Sequence, residues 1–255
     1  MITQTGPHYS AVAFTRTHRP AAVDGYEGYS KYKECLALEF AFRCAYCLSH
    51  QAEVASGEAF GGFEIEHFRP KSLPAFKRLR NKYENLLWAC HACNHAKLDT
   101  WPSSTELRNG FRFVDPTSEG LALHLEIVGE EVVPQTPAGT YIVDEIDLNS
   151  GLHRHRRRDR AEKAKRLALI QALVDLRISK GDRSPEVVAL KKESDALMQT
   201  IRGAPPFDAP KGCYCLVPQV PKRTRTTRAE RKRLRAAKIR RAGSQRDARP
   251  MRPRI

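Results

Sequence analysis

The chain has 255 residues, 41% of them hydrophobic, which is enough to bury a core, and it holds no apolar run of the roughly eighteen residues that a membrane helix needs. Its opening, MITQTGPHYS, lacks the basic and apolar regions of a secretory leader, so a cytosolic protein is expected. The formal net charge of +15 is unevenly spread: Lys222 to Ile255 carries fifteen Lys or Arg against Glu230 and Asp247, a surplus of +13, and the other 221 residues carry +2. The total charge invites a nucleic-acid reading, but a near-neutral body with a cationic arm makes the arm a separate device and leaves the body's task unnamed by composition.

Taken in chain order, residues 1–34 read as an irregular approach segment rich in turn signals such as TGPH and DGYEGYS. YKECLALEFAF predicts a buried helix, with Cys35 as a packed thiol. GGFEIEHF predicts a short strand with Phe63, Ile65 and His67 on one face and Glu64, Glu66 and Phe68 on the other, and NLLWAC predicts a second strand. A helix is expected to start at CNHAKLDTW, capped by Asn94 and ended before Pro102.

Between Phe111 and Ile142 the glycine-punctuated stretches FRFVD, LALHLEIV and EVVPQTPAGTYIV predict a small sheet or hairpin. Leu167, Ile170, Val174 and Ile178 recur at helical spacing, and Ser184-Pro185 opens another helix that runs to Gly203, an αα-hairpin. Residues 204–255 read as a proline-rich linker and a basic tail, with a possible capping box at Thr227 and Glu230. The organisation expected is therefore an approach segment 1–34, a core 35–110, accessory strands and a helical hairpin 111–203, and an arm 204–255. The expected fold class is α+β.

Seven cysteines form an odd count, and four of them stand in two C-x-x-C pairs, Cys44/Cys47 and Cys90/Cys93, with 42 residues between. Four thiolates in this pattern are enough to close a tetrahedral structural zinc site. Cys213 and Cys215 are too close together to make a zinc knuckle alone and receive no chemistry. Between the pairs lie Glu66 and His67, then Asn85, and Asn94 stands directly behind Cys93. The loop from Phe68 to Glu84 carries Arg69, Lys71, Lys77, Arg78, Arg80 and Lys82 against Glu84, a pattern suited to phosphate contacts. The cluster HRHRRRDR, His153 to Arg160, is read either as a nucleic-acid track or as a match for acids of a partner protein. His91 and His95 are read as surface histidines or as alternative metal ligands.

Glu66-His67, then Asn85-Leu86-Leu87-Trp88, then Cys90-x-x-Cys93-Asn94-x-x-Lys97, framed by Cys44-x-x-Cys47, resembles the HNH nucleases with a zinc-braced ββα-metal core. RCAYC, EHFRPKS, NLLWACHACNHAKLD and DLNSGLHRHRRRDR are similar to the small HNH proteins of bacterial phage-defence systems, including those of Septu and some retrons. Glu66 stands where Asp is common in the family, and Asn94 where His is common.

The resemblance implies that His67 is the general base that takes a proton from water, that Glu66 and Asn94 hold Mg²⁺ or Mn²⁺, and that Asn85 orients the loop and the His67 ring. Lys97 joins the basic loop residues as a nucleic-acid contact. The activity implied is phosphodiester hydrolysis, in DNA first, with an ATPase as protein partner. A non-cleaving zinc-braced nucleic-acid-binding subunit and an RNA-directed nuclease are the alternatives, the latter encouraged by the Arg-rich tail.

Overall fold

The computed structural model describes residues 9, 12–54, 62–202 and 215, and the chain divides into a unit of residues 1–217 and a second of 218–255. The basic arm, its expected capping box and Cys213 lie outside the described residues. The first unit has a mixed α+β fold with two separate two-stranded sheets. Among the described residues no helix is long and apolar enough to cross a membrane.

A 3₁₀ turn, Gly28–Tyr32, leads into helix α1, Lys33–Glu39, with Cys35, Leu36 and Ala37 buried. The helix stops short of the Phe42 expected from its apolar pattern, because Ala41 and Phe42 turn the chain with positive φ of 48° and 57° into the first cysteine pair. A four-residue helix α2, Gln51–Val54, follows.

Strand β1, Phe63–His67, pairs antiparallel with β2, Leu86–Cys90, in a register that sets Phe63 opposite Cys90 and His67 opposite Leu86. All five residues of β2 are buried, and Trp88 is wholly enclosed, so this hairpin sits at the centre of the main core. Helix α3, His91–Lys97, begins directly where β2 ends. The cap expected at Asn94 is corrected here. Cys90 is the N-cap, with extended φ/ψ of −72° and 152° and no side-chain cap, and Asn94 lies inside the helix. The chain has to turn at Cys90 if Cys90 and Cys93 are to face the same point, so the turn comes four residues early.

A short α4, Ser104–Arg108, starts with a capping box between Ser103 and Glu106. Of the small sheet or hairpin expected between Phe111 and Ile142, the hairpin is present, as β3, Leu125–Val128, and β4, Glu131–Pro134. The strand expected at Tyr141-Ile142-Val143 is instead helix α5, Pro137–Ile146. Thr136 caps it by accepting from the Gly139 amide at 3.1 Å, and Pro137 occupies its first turn, two local signals that outweigh β-branched propensity. Gly139 is required there, since a Cβ would lie 2.1 Å from the His124 carbonyl oxygen.

Helix α6, Gly151–Ser179, and α7, Pro185–Arg202, pack together through Ala164, Leu167 and Ile201. The basic cluster at the start of α6 is divided: His153, Arg157 and Arg160 are buried, whereas Arg154, His155 and Arg158 are exposed. Arg157 donates to the Leu148 carbonyl at 2.8 Å, Arg158 pairs with Glu130 at 2.6 Å, and Arg160 makes a buried pair with Glu53 at 2.8 Å. These guanidiniums bind helix α6 to α2 and to the β3–β4 hairpin.

Candidate metal centre and cleft

Cys44, Cys47, Cys90 and Cys93 are all buried, with their sulfurs within 4.8 Å of one another. The Cys47 and Cys90 sulfurs lie 3.8 Å apart. Four thiolates about 2.3 Å from one zinc stand about 3.8 Å from each other, so the cluster has the size of a tetrahedral zinc site and is far from disulfide spacing. Such a buried Cys₄ set could hold a structural metal such as zinc. The loop of Cys44 and Cys47 is tied to the hairpin by the Ala45 amide, which donates to the Trp88 carbonyl at 2.8 Å.

Two basic side chains from α6 face these sulfurs and would offset the surplus negative charge of a zinc-bound Cys₄ set. His153 Nε2 lies 3.4 Å from Cys93 Sγ, and Arg156 donates to Cys90 Sγ at 3.8 Å. His153 Nδ1 faces the Asp147 carbonyl at 2.9 Å, which can only accept. Burial disfavours charge on this ring, but hydrogen bonds that the Cys47 and Cys90 sulfurs accept from it outweigh burial and raise its pKa to about 10. The sequence singled out the cluster that holds these two residues but not its link to the cysteines, because they come from a helix some sixty positions away.

Helix α3 lies against one face of β1 and makes two rungs with it. On the outer rung, Asn94 donates to Glu64, and His91 Nδ1 meets the same carboxylate at 3.0 Å. On the inner rung, Lys97 Nζ is 2.6 Å from Glu66, and Tyr46 donates to Glu66 at 3.4 Å. The carboxylate beside Asn94 is thus Glu64, not Glu66. Glu66 and Lys97 are buried with 4% and 0% of their side chains exposed. Burial lifts the Glu66 pKa, and the Lys97 ammonium opposes the rise.

Lys97, expected at nucleic acid, is corrected: its ammonium is wholly enclosed, pairs with Glu66, donates to the His67 carbonyl at 3.2 Å and lies 5.0 Å from the Phe113 ring centre. The signal that could have found Glu64 was present. His91, Asn94 and Lys97 fall at i, i+3 and i+6 on one helix face, opposite Glu64 and Glu66 at i and i+2 on a strand.

Partial burial works against charge on Glu64, yet hydrogen bonds from His91 and Asn94 outweigh it and hold the carboxyl below its usual range. The His91 and His95 rings stack with centroids 5.7 Å apart, so both histidines belong to this edge of the cleft.

His67 ends β1 and is 6% exposed. Its ring packs edge-on against Tyr29 at 4.7 Å, and its Nε2 lies 3.0 Å from the Arg80 carbonyl oxygen. A carbonyl only accepts, so Nε2 carries the proton and Nδ1 keeps its lone pair. Burial, with the Lys71 charge behind it, lowers its pKa to about 4, and the ring is neutral at pH 7. A cleft of about 260 Å³ gathers Glu64, Glu66, His67, Lys71, His91 and Asn94 along its walls.

Asn85 grips the loop that joins the strands. Its Oδ1 accepts from the Arg69 amide at 3.0 Å, and its Nδ2 donates to the Arg69 and Leu79 carbonyls at 3.1 and 3.4 Å. It orders the loop that supplies the Arg80 carbonyl and so reaches His67 through the backbone. Arg69, Lys77, Arg78 and Lys82 are exposed on this loop. Lys71 donates to the Tyr29 hydroxyl at 2.7 Å at the cleft, and Arg80 stacks over Tyr26 at 4.0 Å.

Comparison of the chain with protein-family profiles, with curated proteins and with solved structures gives no match in any of the three.

Proposed function

We propose that this chain is a metal-dependent HNH endonuclease that hydrolyses DNA, working as the nuclease of a bacterial anti-phage defence system beside a protein partner such as an ATPase. One observation carries the reading: a single cleft holds a neutral histidine and a carboxylate–amide–imidazole group on a β-hairpin followed by a helix, bracketed by four cysteines. The residue types, their order and this ββα layout support it together.

His67 is the base. Its Nε2 proton is committed to the Arg80 carbonyl, so Nδ1 is the nitrogen that takes a proton from the attacking water. Glu64 and Asn94, with His91 beside them, are the donors for Mg²⁺ or Mn²⁺; a carboxylate and an amide oxygen suit such hard cations, whereas Glu66 is already neutralised by Lys97. A divalent cation there supplies charge neutralisation as negative charge gathers on the scissile phosphate. Arg69, Lys77, Arg78 and Lys82, on the exposed loop, hold the flanking phosphates, and Lys71 reaches into the cleft.

A second reading, a zinc-braced nucleic-acid-binding subunit that does not cleave, is favoured by one observation, the 6% exposure of His67. The deciding experiment offers plasmid, linear duplex, single strands and RNA to the purified chain with Mg²⁺, Mn²⁺ or EDTA. Cleavage of DNA that requires the metal, and that is lost in His67→Ala while zinc content and DNA affinity persist, is the result expected. Tight DNA binding with no cleavage under any condition selects the second reading, and cleavage confined to RNA makes the chain an RNA nuclease.

A further inference from the structure

We propose that His18, Cys35 and Cys215 form a second zinc site, separate from the Cys₄ cluster and from the cleft. Their three donor atoms lie within 4.8 Å of one another. Cys35 Sγ is 3.5 Å from Cys215 Sγ, and Cys215 Sγ is 3.4 Å from His18 Nδ1. Neither cysteine is disulfide-bonded, and a disulfide would hold the sulfurs at about 2.05 Å. Around a tetrahedral zinc, with Zn–S about 2.3 Å and Zn–N about 2.05 Å, the edges are about 3.8 Å between sulfurs and about 3.6 Å between sulfur and nitrogen. The observed spacings fall short of those edges by a few tenths of an ångström, a gap that rotation about the Cα–Cβ bonds closes.

The site is built into the core. Cys35 is wholly buried in α1, and the other two donors are half-buried. The His18 backbone amide donates at 2.6 Å to Glu39, the last residue of the same helix, and Arg16 pairs with that carboxylate at 3.1 Å. His18 is therefore held beside the helix that carries Cys35. Cys215 arrives from 180 positions farther along the chain.

Two thiolates and an imidazole select zinc over magnesium or calcium. Binding releases the two thiol protons, and the three described donors supply three of the four positions of a tetrahedral zinc. Cys213 lies outside the described residues and is no part of the proposed set. The metal works as a clip: it closes a long loop and fastens the chain that precedes the basic arm to the first helix of the core. This reading does not depend on the proposed nuclease activity.

The test measures zinc per chain by elemental analysis on the full-length protein, purified under reducing conditions with zinc present. Cys215→Ser carries the test, because Cys215 is half-buried while Cys35→Ser risks the core; His18→Ala is run beside it. About two zinc ions are expected in the parent and about one in Cys215→Ser and in His18→Ala. X-ray absorption at the zinc edge should show a nitrogen shell in the parent that His18→Ala loses, while the sulfur shell of the Cys₄ site remains. About one zinc in the parent and in Cys215→Ser alike overturns the proposal, as does a Cys35–Cys215 disulfide seen by mass spectrometry with no second zinc. An unchanged count of two in both Cys215→Ser and His18→Ala overturns it as well.

Discussion

Lys97→Met is a sharp test of how this core is built. The substitution keeps the length and volume of the side chain and removes its charge. Glu66 then stays enclosed, with 4% of its side chain exposed, and the ammonium 2.6 Å away is gone. Among the described residues, the 3.4 Å hydrogen bond from Tyr46 is the side-chain contact that remains to it. Breaking a buried pair by removing one partner costs about 3–5 kcal/mol, because the remaining charge is uncompensated. With a urea slope of about 2–3 kcal/mol per molar, the unfolding midpoint should fall by about 1–2.5 M at pH 8 with zinc saturating.

The loss should shrink in acid. Burial raises the folded-state pKa of Glu66 above its unfolded value, and without Lys97 the rise is larger. A group with a raised folded pKa contributes stability below its unfolded pKa of about 4.3 and loses it as pH climbs through the folded value. Lys97→Met should therefore be closer to the parent at pH 5 than at pH 8. The double variant Glu66→Gln/Lys97→Met should recover most of the loss, since neither buried charge remains. A parent-like midpoint for Lys97→Met together with weakened DNA binding would refute this reasoning and return Lys97 to the nucleic-acid interface.

His67 gives the opposite pH signature. Its pKa is lowered from 6.5 to about 4, so its stabilising contribution is present above pH 6.5 and is lost as pH falls towards 4; acid unfolding over that window should be shallower in His67→Gln, measured by circular dichroism. Cys90→Ser should lose the core zinc and unfold the hairpin, read as metal content and loss of near-ultraviolet dichroism. Asn85→Ala removes the grip on Arg69 and Leu79, so the loop should become sensitive to trypsin and cleavage should fall at least tenfold while zinc is retained. Removal of Lys222 to Ile255 should flatten the salt dependence of DNA binding by about 0.9 for each phosphate that the arm neutralises, and leave cleavage at saturating DNA intact; an unchanged slope would assign the arm to a protein or RNA partner.

Much of this protein was legible in its sequence because the signals are local. Two C-x-x-C pairs announce four converging thiolates wherever the chain places them, and their cluster is present. The alternation in FEIEH and the apolar run in LLWAC produced the two strands, and helical spacing with Ser184-Pro185 produced α6 and α7.

What the sequence left open is decided by packing between distant segments. Strand alternation puts Glu64 and Glu66 on one face, but only the docking of α3 decides which of them meets Asn94 and which is buried against Lys97. The cationic run at His153 to Arg160 reads as uniform in the sequence, and only the docking of α6 on the core separates the side chains that meet Glu53, Glu130 and two cysteine sulfurs from those that stay exposed. His18, Cys35 and Cys215 share no motif at all. They are brought together only when the chain closes across 180 residues, and no pattern confined to a short window carries that information.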